Sequence, residues 1–372
     1  MTMPDDLLPE GLQDCLPERA AQITHAMRAA LDTLASHGYD RVRPPLIEFE
    51  RSLSGRMASG SGDTSPRRMF RFVDPASLRT LALRSDMTPQ IGRIAATSLA
   101  DAPRPLRLAY SGETAIIKAD QLDPARQRLQ LGAELIGADS VAAASEMVAL
   151  AVEALGAAGL KGISVDFTLP DLVDTLALKA MPLDTDLIEP VRCELDAKDA
   201  GALKDVGGTA YLPLLYSTGP IDEALEKLRA IDAGGALASR IAGLEEVAER
   251  IGDKARVTLD PTERHGFEYQ SWFGFTLYGE GVRGAVGRGG TYAIKGSDEP
   301  ATGFTLFLDR LAPATDQGEG AQKLYLPTGH DAEIAARLRA IGWSTIAQIG
   351  EGEDAKSLGC THRLEGKKPV EL

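Results

Sequence analysis

The run Tyr110–Gly137, YSGETAIIKADQLDPARQRLQLGAELIG, decides how this chain folds. With the preceding LRLA it predicts a strand from Leu106, a polar loop, and a second strand-like run, RLQLGAELIG. Upstream, Ile23, Met27, Leu31 and Leu34 recur at helical spacing and predict a helix over Ala20–Gly38, closed by His37-Gly38. The segment YDRVRPPLIEFE cannot be helical, because Pro44 and Pro45 are adjacent; it predicts an edge or interface strand. SLSGRMASGSGDTSPRR, rich in Gly and Ser, predicts a mobile loop. MFRFVD and LRTLALRSD predict a hairpin turning at Pro75-Ala76-Ser77. Helices are predicted over Thr88–Leu99 and Ser145–Gly156.

Downstream the character changes. Residues 166–253 are charged, poor in aromatics and strongly helical, and predict a helical insert. Strand character resumes at ARVTLD and runs through FEYQSWFGFTLYGEG and GVRGAVGRGG, with GFTLFLDRLAP predicted as a closing helix. A linker near Asp316–Gln322 precedes a tail that reads strand (KLYLP), helix (DAEIAARLRAIG), strand (STIAQIG) and a basic end. Without strict βαβ alternation, the class is α+β: an antiparallel sheet flanked by helices. Residues 1–165 with 254–315 form the expected core, 166–253 the insert, and 320–372 a short α/β segment.

Composition narrows the function. A hydrophobic share of 44% supplies a real core, yet no apolar run approaches the roughly 18 residues a membrane span needs. The acidic start, MTMPDDLLPEGLQD, lacks the basic flank and apolar stretch of a secretory signal, so a cytoplasmic protein is expected. Cys15, Cys193 and Cys360 fit neither a disulfide framework nor a metal site. A net charge of −14 opposes nucleic-acid binding. Phosphate-loop, HExxH and GxSxG signatures are missing, and five scattered histidines predict no metal centre and no cofactor.

Four segments, in order, resemble the histidyl-tRNA synthetase family of class II synthetases. HGYDRVRPPLIE resembles motif 1, which builds that family's dimer interface, with Pro45 at the matching proline. LALRSDMTPQIGR resembles the L-T-L-R-P-E-x-T segment and keeps Arg84, Asp86 and Thr88. The opening stretch resembles motif 2, its register fixed by Tyr110, Gly112, Gln130, Leu131, Gly132, Glu134 and Gly137. GRGGTYAIKGSDEPATGFTLFLDRL resembles the G-G-R-Y-D glycine pair followed by motif 3, with Arg310 as its arginine.

The departures decide the expected activity. Where the family has F-R-x-E for gripping ATP, this chain has Ala115, Ile116, Ile117 and Lys118. An aliphatic side chain offers a phosphate no charge-assisted donor. R-G-L-D-Y-Y appears as HGFEYQ, with His265 at its arginine, or Arg264 if the register slips by one. Losing both arginines removes the electrostatic stabilisation adenylation needs, so no catalytic residue is expected. The amino-acid half persists. The resemblance implies that Asp86 and Thr88 hold an α-ammonium while Gln130 and Glu134 read the side chain, with Tyr269 and Tyr292 matching or adjoining pocket tyrosines. Gln270 replaces a family tyrosine.

The short segment 320–372 is too small for the family's anticodon-binding domain. An empty synthetase without that domain resembles the regulatory subunits of ATP phosphoribosyltransferase. The resemblance implies a homodimer through the Pro44-Pro45 segment that partners a short-form catalytic subunit in the first step of histidine biosynthesis. It also implies L-histidine as feedback effector, and neither nucleic acid nor membrane as partner. The alternative, a ligase activating an amino acid for a target other than tRNA, needs an arginine where Ile116 stands.

Overall fold

The computed structural model describes residues 7–57, 69–118, 123–232, 234–264, 270–311 and 322–372. It opens with helix α1 (Pro17–Ser36), which starts at a proline pre-set for the first turn. Ala26, Ala30 and Leu34, spaced four apart, form its buried stripe. Gly38, at φ +80°, takes the chain out of the helix in a conformation that favours glycine. β1 (Asp40–Arg41), β2 (Ile47–Phe49), α2 (Glu50–Met57), β3 (Arg71–Val73), β4 (Thr80–Leu83) and α3 (Thr88–Ala96) follow. β2, β4 and β3 form a small antiparallel sheet, so the hairpin at Pro75-Ala76-Ser77 is present.

β5 (Leu106–Ala115) and β6 (Gln127–Ile136) are the long antiparallel hairpin of the opening stretch, with Tyr110 opposite Gly132 and Gly112 opposite Gln130. Helix α4 (Val141–Ala157), capped by the Ser140 side chain on the Ala143 amide, packs on the same sheet alongside α1. β7 (Ser164–Thr168) leads into α5 (Leu172–Lys179), α6 (Ile188–Asp196), α7 (Ala200–Asp205), β8 (Gly219–Pro220), α8 (Ile221–Ile231) and α9 (Ala238–Ile251). β9 (Arg256–Leu259), β10 (Gln270–Tyr278), β11 (Gly287–Ile294) and β12 (Glu299–Phe307) complete a nine-stranded sheet of order β1-β5-β6-β12-β11-β10-β7-β9-β8. It is a mixed α/β fold with one large, mainly antiparallel sheet flanked by helices. Successive strand residues point to opposite faces. Leu131, Ala133 and Leu135 of β6 therefore join the α1 and α4 core, while Gln130, Gly132 and Glu134 face the other way.

Met1–Thr315 is one compact unit and Asp316–Leu372 a second. The helices between residues 166 and 253 lie within the first, since β7 and β9 pair in the same sheet. The second unit has β13 (Lys323–Leu326), α10 (Ala332–Ala340), β14 (Ser344–Ala347), β15 (His362–Glu365) and β16 (Lys368–Glu371), in sheet order β14-β13-β15-β16.

Three sequence expectations need correction. GFTLFLDRLAP is not a helix: its first five residues end β12 and Leu308–Arg310 make one 3-10 turn. Both faces of this strand are covered, so its apolar run hid the two-residue alternation. The Gly/Ser-rich segment begins as α2, because Leu53 is buried against Met69 and Ala82; residues 58–68 lie outside the described residues. Pro44 and Pro45 belong to no strand but to the connection between β1 and β2. The basic end is a hairpin, β15–β16. The predicted linker, Asp316–Gln322, lies outside the described residues up to position 321.

Candidate functional site

Five sequence-predicted residues converge on the sheet face opposite the helical core. Glu134 and Gln130 come from β6, Asp86 and Thr88 from the entry to α3, and Tyr292 from β11. All five are buried. Tyr292 donates its hydroxyl to Glu134 Oε2 at 2.7 Å, and Thr88 donates to Oε1 at 3.1 Å. Gln130 Oε1 accepts the Met87 amide at 3.1 Å, which fixes the 86–88 segment against β6. Asp86 Oδ1 accepts the Thr88 amide at 3.5 Å.

Two further residues complete the arrangement. The Tyr110 hydroxyl reaches Glu134 Oε1 at 3.3 Å, Thr88 Oγ1 at 3.2 Å and Thr305 Oγ1 at 2.7 Å. Tyr110 had served only to fix the motif register, and Thr305 gave no signal in the sequence. Glycines make the room. Gly303 lies opposite Glu134, where an added Cβ would sit 1.6 Å from Oε2. Gly290 and Gly274 extend the same cross-strand row on β11 and β10. The bare backbone of Gly303 is what lets the Glu134 carboxyl lie across the neighbouring strand.

The electrostatics point to a cation. Burial raises the Glu134 carboxyl from an ordinary 4.5 to about 8, against the lowering effect of its hydrogen bonds. Burial likewise raises Asp86. The two carboxyls are near enough for Asp86 to push Glu134 further up. Among the described residues no cation pairs with either. Two adjacent buried carboxyls with no cation beside them are the natural receptor for an ammonium or a protonated imidazole.

Among the described residues, none of the expected ATP-handling positions is hydrogen-bonded into this cluster. Ile116 lies just beyond β5, its amide donating to the Arg126 carbonyl, and Ile117 is exposed. The Arg264 guanidinium pairs with Glu189 of α6 at 2.8 Å, and its amide donates to Asp196. Arg310 pairs with Asp123 and donates to the Ala285 carbonyl at 2.6 Å. It lines a separate cleft of about 610 Å³ beside α1, together with Arg19, Glu113 and Arg128. His265 and Tyr269 lie outside the described residues, as does the Gln270 side chain.

The sheet, its buried carboxylate cluster and the motif order define a protein of the histidyl-tRNA synthetase class, and the family described as "Histidyl-tRNA synthetase" matches residues 11–311. Full-length relatives sharpen this. An ATP phosphoribosyltransferase regulatory subunit from Paramagnetospirillum magneticum is 40% identical, covering 98% of each chain. One from Rhodospirillum centenum is 39% identical over 98% of this chain and 96% of its own. A solved structure titled as an ATP phosphoribosyltransferase regulatory subunit/histidyl-tRNA synthetase, from Bacillus halodurans, superposes with a TM-score of 0.81. It shares 26% identity and covers 96% of this chain and 97% of its own. A histidyl-tRNA synthetase from Nostoc, 17% identical at a TM-score of 0.77 over 96% of this chain and 90% of its own, shares the fold. The chain belongs to the family of ATP phosphoribosyltransferase regulatory subunits.

Proposed function

We propose that this chain is a non-catalytic regulatory subunit that binds L-histidine in the Glu134 pocket and controls a short-form ATP phosphoribosyltransferase catalytic chain. The observation that carries the reading is the pair of uncompensated buried carboxyls, Asp86 and Glu134, in a chain whose full-length relatives bear the regulatory name. An amino acid supplies the missing cation. Its α-ammonium would sit on Asp86 and Thr88 and its imidazole near Glu134, Gln130 and Tyr292. The complex would work in the cytoplasm at the first step of histidine biosynthesis, with histidine acting as feedback inhibitor. Aliphatic Ile116 and the engaged Arg264 leave no gripping pair for ATP phosphates, which supports the absence of adenylation. Among the described residues no helix is long and apolar enough to cross a membrane.

Self-pairing is part of this reading. Ile47, Phe49, Phe72, Leu81 and Leu83 share one face of the β2–β4–β3 sheet by register. Ile47, Phe49 and Phe72 are each about 40% exposed, an apolar face that favours a second copy. Pro44 and Pro45 lead directly into it.

The test is reconstitution with a short-form catalytic chain. The mixture is expected to elute as one complex and turn over faster than the catalytic chain alone. This chain alone is expected to exchange no pyrophosphate into ATP. Histidine-dependent exchange, or no effect on the partner's rate, would overturn the proposal.

A further inference from the structure

The pocket and the apolar face of the small sheet are held by one seven-residue stretch. Asp86 and Thr88 contribute to the pocket; Arg84 and Gln90, on either side, reach the 44–48 segment. Arg84 is buried and donates Nη1 to the Pro44 carbonyl at 3.0 Å and Nε to the Glu113 carbonyl at 2.7 Å. Gln90, equally buried, donates Nε2 to the Pro45 carbonyl and to Glu48 Oε1, both at 2.8 Å. Arg93, one turn along α3, closes on the same carboxylate at 2.6 Å. Glu48 sits in β2 between Ile47 and Phe49, which point to the exposed face. The Met87 amide, at the centre of the stretch, is pinned to Gln130. Every residue from Asp86 to Gln90 is buried, and packed interiors pass on displacement instead of absorbing it.

We propose that occupancy of the Glu134 pocket and pairing of two copies through β2–β4–β3 are thermodynamically linked, with Arg84 and Gln90 as the positioning residues that couple them. This rests on the reading above for the ligand and the pairing face. A cation held by Asp86 and Thr88 fixes the start of α3. Gln90 is then fixed against Pro45, and β2 is presented in its pairing geometry. Such a coupling is reciprocal: histidine tightens pairing by the factor by which pairing tightens histidine binding.

Calorimetric titration of L-histidine into the full chain, with light scattering on the same samples, tests the link. The variants are Ile47→Glu, Gln90→Ala and the double mutant; Phe49→Lys replaces Ile47→Glu if that chain misfolds. Ile47→Glu is expected to be monomeric and to bind histidine at least about fivefold more weakly, within the range of ordinary allosteric couplings. In the Gln90→Ala background, adding Ile47→Glu is expected to change histidine affinity no further. A merely structural Gln90 would instead leave the two effects additive, and that result overturns its coupling role. Equal histidine affinity in the paired wild type and the monomeric variant overturns the linkage alone. A variant that still pairs overturns the assigned face and the coupling built on it. Absence of binding heat in the wild type overturns the ligand reading itself.

Discussion

At the scale of the residue, Glu134 is the informative side chain. Burial raises its carboxyl to about 8, so the folded chain keeps a proton that the unfolded chain releases above about 4.5. The stability from that proton is complete below the unfolded value and is lost as pH rises through the folded one. Urea midpoints are therefore expected to fall between about pH 5 and 8 in the wild type. Relative to Glu134→Gln, the slope is of order 1 kcal/mol per pH unit. A flat difference between the two chains would contradict the assigned burial. The same proton has an acceptor in the ligand, because the free imidazole of histidine is mostly neutral at pH 7 and can take it from Glu134 directly. The heat of histidine binding at pH 7 is therefore expected to be nearly independent of the buffer's ionisation enthalpy, and a strong dependence would mean that the proton passes to solvent instead. Gly303→Ala tests the room beside the carboxyl. Its Cβ would overlap Oε2, so histidine binding should be abolished, whereas a retained affinity would place the ligand elsewhere.

At the scale of the element, α4 and β12 show what the sequence made legible. The Ser140 cap on Ala143 is local chemistry, and Ser140→Ala is expected to cost about 1 kcal/mol by chemical denaturation. A loss below a few tenths would mean that packing alone holds that end. The predicted helix over Ser145–Gly156 was readable because a helix signals its period locally; only its first turn was missed. β12 was misread because its neighbours, β6 and β11, cover it on both edges and its two faces are buried. No single-strand pattern encodes such covering. The pocket divides the same way. Asp86, Thr88, Gln130, Glu134 and Tyr292 were found from motif spacing, and the structure brings all five together. Thr305 and the Gly274–Gly290–Gly303 row were not found, since cross-strand register alone makes them neighbours. Pro44 and Pro45 were rightly read as non-helical, but their partners, Arg84 and Gln90, are forty or more residues away in the chain.

Across the whole molecule, a synthetase-type sheet occurs in a chain whose full-length relatives are named regulatory subunits. Asp86, Thr88, Gln130, Glu134 and Tyr292 are all buried, while Ile116 is aliphatic and the Arg264 guanidinium pairs with Glu189. A pocket shaped to select an amino acid needs only a differential effect on the assembly to become a sensor. The central claim is that histidine control passes through Glu134. Its most direct test is the histidine concentration giving half-inhibition of a reconstituted complex with a short-form ATP phosphoribosyltransferase chain, wild type against Glu134→Ala. Loss of one charge-assisted hydrogen bond, roughly 1.5–3 kcal/mol, predicts a rise of about ten- to a hundredfold. An unchanged half-inhibition concentration in a folded Glu134→Ala complex would contradict the claim.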